Sequence, residues 1–231
     1  MTVVCKTRTT ELKHIVMDII YRNPAAGIWH NAPEDNGVMT YGPSAEEKRG
    51  RTEIRKATPE DVEFIAEAVI GAIGMADVSP LLKKALTDIC GMEDTLYSYR
   101  NTEIATVDGR VAGALISYDG AGYADMADKT FSLAAKAMGE KKFSPGTETG
   151  PGEYYLDSLY VSPGFRGRRI GNLLMANALE TAEGLGFPLV SLLVDIKKPW
   201  LHKMYGDLGF AMDKEVLFFG EPFYRMVQYL R

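Results

Sequence analysis

From Tyr154 to Val194 the chain runs through a strand-like stretch, a turn rich in glycine and arginine, a long helical stretch and a second apolar run. Tyr154 to Val161 reads as a strand, and Ser162-Pro163-Gly164 turns out of it. A helix is expected from near Arg168 to Gly184, with Ile170, Leu174, Ala178, Thr181, Ala182 and Leu185 on one broad face. Gly186-Phe187-Pro188 ends that helix and opens Leu189 to Val194, a continuous apolar run suited to an interior strand. Strand, helix and strand joined by such short connections imply a parallel pair with a right-handed crossover. This unit commits the chain to an α/β fold.

The remaining segments fit around it. Glu53 to Ala57 reads as a short strand, and Thr58 then caps a helix with Pro59 at its first position and Glu60 and Asp61 in its first turn. Ser79-Pro80 starts a second helix, which Gly91 stops. Glu103–Val107 and Arg110–Tyr118 flank Asp108-Gly109, a pair that accepts the positive φ of a type I′ hairpin turn. An insert from 119 to 152 carries one amphipathic helix around Phe131, Ala134, Ala135 and Met138. Pro199 opens a further helix to Leu208, and strands near 212–219 and 223–230 close the chain. Residues 1–50 are polar and turn-rich and read as an extension with little core of its own, partly disordered; 51–231 read as the domain.

Composition narrows the function. With 46% hydrophobic and 25% charged residues among 231, the chain builds an ordinary globular core. A net charge of −5 gives no support to nucleic-acid or anionic-membrane partners. No apolar run is long enough for a signal or membrane span. Cys5 and Cys90 are far apart and form no CxxC or Cys/His set, so no metal site is expected, and a cytoplasmic location is the natural expectation.

The sharpest local feature is Gly164-Phe165-Arg166-Gly167-Arg168-Arg169-Ile170-Gly171, between strand and helix. Arginines at a helix N-terminus oppose the helix dipole, by about 0.3–1 kcal/mol each when exposed, and a counter-anion would remove that conflict. Unpaired N–H groups and two glycines let a phosphate approach the main chain. The competing reading is a solvated arginine-rich turn. Neither a G-x-G-x-x-G nor a G-x-x-x-x-G-K-[ST] pattern is present.

Here the sequence resembles the GNAT N-acetyltransferase superfamily. Members carry a strand ending in Leu-x-Val-x-Pro and an Arg-Gly-x-Gly-x-Gly/Ala turn; this chain has Leu159-Tyr160-Val161-Ser162-Pro163 and then Arg166-Gly167-Arg168-Arg169-Ile170-Gly171. Arg169 stands where the family has its middle glycine. Leu192-Leu193-Val194 followed by Tyr205 to Phe210, and the opening Ile54-Arg55-Lys56-Ala57-Thr58-Pro59-Glu60-Asp61, resemble two further family segments, so the likeness covers about 54–231 with the insert unmatched.

The resemblance implies a mixed, mostly antiparallel sheet with flanking helices and a central splayed pair, 154–161 and 189–194. It implies acetyl-CoA as co-substrate, its pyrophosphate on residues 166–171 and its pantetheine arm along the backbone of Leu159, Tyr160 and Val161. Tyr205 would protonate the leaving thiolate, unless it is a core tyrosine of the last helix. Asp157 and Glu153 are candidate bases, or outward-facing strand residues; His202 shares a helix face with Tyr205. Lys198 replaces a common asparagine near the pantetheine and cannot accept a hydrogen bond. The acceptor is expected to be a primary amine of a small molecule or protein. Asp77 and Glu221 lie in loops that shape its pocket. The insert is open between lid, dimer contact and pocket wall, and a homodimer is open too. The rival reading is a non-catalytic CoA-binding domain of the same fold; a larger acyl donor is a third option.

Overall fold

The computed structural model describes residues 50–74, 78–141, 143 and 145–231. The expected extension, apart from Gly50, therefore lies outside the described residues, as do Cys5 and Asp77. The elements run β1 (Thr52–Lys56), α1 (Val62–Ile73), α2 (Pro80–Cys90), β2 (Thr102–Val107), β3 (Arg110–Asp119), α3 (Tyr123–Ala137), β4 (Tyr154–Val161), α4 (Ile170–Gly184), β5 (Leu189–Asp195), α5 (Pro199–Asp207), β6 (Ala211–Phe218) and β7 (Glu221–Tyr229).

One seven-stranded sheet holds them in the order β1-β2-β3-β4-β5-β7-β6. Every neighbouring pair is antiparallel except β4 and β5, which are parallel. The mixed α/β sheet with its central parallel pair is thus the one the sequence implies.

Local chemistry explains most boundaries. A 3-10 turn over Pro59–Asp61 leads into α1, and Asp61 closes a capping box, accepting from the Thr58 N–H at 2.8 Å. Arg55 grips the same carboxylate at 2.7 and 2.8 Å, which holds its pKa below the usual range and ties β1 to the helix start. Ser79 caps α2 through the Leu82 N–H at 3.2 Å. Asp108 (φ 50) and Gly109 (φ 74) form the expected tight turn between β2 and β3.

Two cores lie on opposite faces of the sheet. On one, α1, α2 and α3 cover Ile104, Ala114, Ile116, Tyr118 and Tyr155. On the other, α4 packs on Ala105, Ala112, Leu115, Leu156, Val161 and Leu192, with Leu201 of α5 and Leu208 just after it at its border. The insert is part of the first core: Tyr123, Ala127, Phe131 and Thr149 are buried. Its helix, placed by the sequence around Phe131 to Met138, begins at Tyr123, where Asp119 accepts from the Ala121 N–H and starts the turn that leads in.

Candidate active site

The parallel pairing of β4 with β5 covers only Tyr154↔Val190 and Tyr155↔Ser191. Just beyond it, β4 carries a bulge. Its register against β3 moves from Leu156↔Ser117 to Ser158↔Ile116, so Asp157 is the extra residue. A bulge bends a strand and raises its local twist, and here the strands part. Leu156–Val161 and Leu192–Asp195 then face each other across an open gap.

The closed end of this V is fastened by side chains. Arg225 of β7 pairs with Glu153 at 2.7 Å and with Asp213 of β6. Glu153 also accepts from Ser191 at 2.6 Å and Thr149 at 3.1 Å.

On the open side, the Ser162 N–H donates to Ala112 O at 2.9 Å. Antiparallel alternation then turns the main-chain groups of Tyr160 toward β3 and those of Leu159 and Val161 into the gap. The Val161 carbonyl already accepts from Arg166 Nε at 3.2 Å. The Tyr160 ring leans on α1, lying where a Cβ on Gly71 would sit 2.3 Å away, and its hydroxyl donates to Glu67 at 3.2 Å.

At the gap's edge stands the arginine loop. A 3-10 turn over Pro163–Phe165 leads to Gly167 (φ 78) and then Arg169 (φ 63). The departure from glycine at Arg169 therefore leaves the left-handed backbone in place. Helix α4 starts at Ile170, two residues later than expected, because Arg169 cannot be helical with that φ.

The Leu173 N–H reaches Arg169 O at 3.1 Å, so the N–H groups of Ile170, Gly171 and Asn172 head the helix without intrahelical partners. Gly171 packs its α-carbon toward Leu159 and Val161. The guanidiniums of Arg110 and Arg168 lie 5.5 and 5.4 Å from the Phe165 ring centre, while Arg166 and Arg169 are exposed. Amides without intrahelical partners, a helix N-terminus and gathered cations are chemistry that suits an anion.

Tyr205 of α5 lies on the α4 side, its ring edge-on to Phe210 at 6.1 Å. Burial pushes its phenol up to about 12, so it keeps its proton at neutral pH. Lys198 sits at the N-cap of α5, Nζ 4.0 Å from Asp195. His202 stacks on Tyr224 at 5.4 Å.

The opposite face holds carboxylates among tyrosines. Asp157 accepts from Tyr118 and from Ser158, each at 2.7 Å. Glu148, from the segment before β4, accepts from Tyr155 at 2.7 Å and Tyr123 at 3.2 Å. The Tyr118 and Tyr155 rings touch at 5.7 Å. Burial pushes Glu148 up to about 8, helped by the Asp157 charge, and burial raises Asp157 as well.

A family model described as "Acetyltransferase (GNAT) family" matches residues 93–210. The chain belongs to the GNAT acetyltransferase family. A crystal structure of an acetyltransferase is similar at TM-score 0.64 and 25% identity, over 78% of this chain and 100% of that one. An N-acetyltransferase from Staphylococcus aureus Mu50 shares the fold at TM-score 0.64 and 24% identity, over 76% and 99% of the two chains. No curated protein sequence matches.

In this GNAT chain the residues expected at the cleft separate into groups. Leu159, Tyr160, Val161 and residues 166–171 lie together along the gap's edge. Glu153 does not stand free as a base: held by Arg225, Ser191 and Thr149, its carboxyl is kept below the usual range despite its burial. Glu221, expected in an acceptor loop, pairs with Lys197 at 2.7 Å. Glu148 was not among the sequence candidates. It sits in a stretch, Pro145 to Gly152, whose only sequence signal is turn chemistry.

Among the described residues, no group of three or more His, Cys, Asp or Glu is arranged to hold a metal, and no helix is long and apolar enough to cross a membrane. Cys90 is buried and its thiol is pushed up to about 12.

Proposed function

We propose that this protein transfers an acetyl group from acetyl-CoA directly to a primary amine of a small molecule or protein. The observation that carries the reading is the parting of β4 from β5 after two residue pairs, with unpaired helix N–H groups and arginines at the gap's edge. The site fits acetyl-CoA on its own terms. The loop Arg166–Gly171, with Arg168 and Arg169 among its cations, suits the pyrophosphate. The main chain of Leu159, Tyr160 and Val161 borders the channel for the arm, with Leu159 offering open strand groups.

The Arg166–Val161 bond occupies one main-chain acceptor, so Leu159 carries more of the pairing. Lys198, at the rim of α5, contributes a donor and a positive charge there.

Transfer needs two proton movements. As the amine nitrogen bonds to the thioester carbonyl and the C–S bond breaks, Tyr205 supplies a proton to the leaving sulfur. Its raised pKa keeps the phenol protonated and ready at neutral pH. The amine's own proton goes to a carboxylate on the opposite face, in the cluster beside the β4 bulge at Asp157.

The test has two stages. Calorimetric titration with acetyl-CoA should give heat and raise the melting temperature; a silent titration ends the proposal. Thiol release with a panel of primary amines then separates catalysis from mere binding. Tyr205→Phe should lower turnover about a hundredfold with acetyl-CoA affinity kept. Equal loss of both would make Tyr205 packing, and binding without turnover on any amine would favour the non-catalytic reading.

A further inference from the structure

We infer that Glu148, carried by the insert ahead of β4, is the group that takes the proton from the acceptor amine, with Asp157 as its positioning partner. This rests on the transfer reading and assigns its open proton step.

The hydrogen bonds distinguish the two carboxylates. Asp157 is committed on both oxygens, Oδ2 to Tyr118 and Oδ1 to Ser158, each at 2.7 Å. Glu148 is committed on one: Oε2 accepts from Tyr155 at 2.7 Å. Among the described residues, its other oxygen, Oε1, meets only the Tyr123 hydroxyl at 3.2 Å, and that hydroxyl has Gly146 O at the same distance. A single O–H cannot serve both acceptors fully, so Oε1 is the least satisfied oxygen of the cluster. It is where an ammonium N–H would be received.

Glu148 is also held firmly, as a base must be. Next to it, Thr149 is buried and bonds Glu153 at 3.1 Å. Gly120 lies so close to Gly150 that a Cβ there would sit 2.2 Å from the Gly150 carbonyl. On the other side, Pro145 O accepts from the Phe219 N–H at 2.6 Å, which fixes the segment to the β6–β7 turn. The titratable groups facing Glu148 are Asp157 and Tyr155 of β4, Tyr118 of β3, Tyr123 of α3, and Tyr97 ahead of β2. Against neutral tyrosines and one like charge, the carboxyl holds a proton more tightly than an ordinary glutamate, which brings it toward the basicity of an amine.

In the step, the ammonium gives one proton to Glu148 and its freed lone pair forms the C–N bond. As the C–S bond breaks, the thiolate takes the Tyr205 proton and the nitrogen's second proton passes through water to restore the Tyr205 phenol. Glu148 then releases its proton to water, so that amide, free thiol and one proton are the products. Asp157 exchanges no proton; its charge and place set how strongly Glu148 binds one.

The experiment is kcat/KM by thiol release from acetyl-CoA across pH 6–10, with tyramine, 1,4-diaminobutane and a lysine-containing tripeptide as acceptors. The wild-type rate should climb through a limb near the Glu148 pKa. Glu148→Gln should lower kcat about a hundredfold and flatten that limb, with acetyl-CoA affinity unchanged by calorimetry. Asp157→Asn should move the limb to lower pH, because a like charge is gone. Tyr155→Phe should move it to higher pH, because a donor to the carboxylate is gone. The last two variants keep the test alive if Glu148→Gln does not fold. A limb that survives Glu148→Gln, or that neither neighbouring change moves, overturns the assignment. No thiol release by the wild type with any of these amines overturns the transfer reading itself.

Discussion

The loop from Ser162 to Arg169 draws its chemistry from consecutive residues, whereas the acid–tyrosine cluster gathers Tyr118, Tyr123, Glu148, Tyr155 and Asp157 from separate stretches of chain. The loop is made by backbone: a 3-10 turn, two positive φ values and a helix N-terminus. The cluster is made by packing, since Glu148 reaches Tyr155 only because α3 and the segment after it are docked on the first core. A backbone-built site survives loss of distant contacts. A packing-built site does not.

The largest expected effect exploits that contrast. In Gly120→Ala the added methyl would lie 2.2 Å from Gly150 O and 2.6 Å from Thr149 Oγ1, so the backbone beside Glu148 must shift. Strain of this kind costs about 1–3 kcal/mol, and a carboxylate displaced by about an ångström costs up to about a hundredfold in turnover. Acetyl-CoA affinity should stay as it was. Weaker acetyl-CoA binding in calorimetry would show that the two regions are coupled.

Gly167→Val is the reciprocal change. A Cβ at Gly167 meets nothing within 4 Å, so only the backbone at φ 78 resists it. A branched residue there costs about 1–2 kcal/mol. The free loop should relax away, and acetyl-CoA should bind about tenfold more weakly, with the melting temperature nearly unchanged. Unaltered affinity would remove the loop's N–H groups from the phosphate site.

How legible these regions were in the sequence follows from the same distinction. The strand–loop–helix unit was readable because glycine, proline and arginine act on their immediate neighbours. The central parallel pair followed from it. The hairpin at Asp108-Gly109 and the capping box at Thr58–Asp61 were readable for the same reason. The bulge at Asp157 was not, since it appears only when β4 is aligned with β3. The sequence leaves Glu153 open between base and strand residue, because its partner Arg225 lies on the last strand, beyond the reach of any local pattern. Glu148 carried no signal: an acid among Pro, Gly and Thr looks solvated until Tyr123 and Tyr155 are brought around it.

A pH titration of stability probes the cluster without substrate. The folded Glu148 carboxyl lies near 8 against an ordinary 4.5, so the native state holds more protons than the unfolded chain between those values. Its contribution is fully present below about 4.5 and is lost as pH rises through about 8. Melting curves from pH 5 to 9 should therefore show the wild type losing stability with pH more steeply than Glu148→Gln. Parallel curves would mean that Glu148 titrates as an exposed glutamate does.

The smallest effect belongs to Arg169→Gly, which restores the residue usual at this position in the family. Glycine relieves an αL conformation that costs a side chain about 1–2 kcal/mol, but it has more unfolded-state freedom to lose, about 0.5–1 kcal/mol. The net change in stability should be a gain below about 1 kcal/mol, visible as a small rise in melting temperature. Binding discriminates between the two roles of the residue. If the exposed guanidinium reaches a phosphate, the variant should bind acetyl-CoA a few-fold more weakly, and its affinity should fall less steeply with added salt than that of the wild type. If the two proteins bind equally at every ionic strength, Arg169 serves the loop through its φ alone, and the phosphate site is wholly main chain and helix dipole at that position.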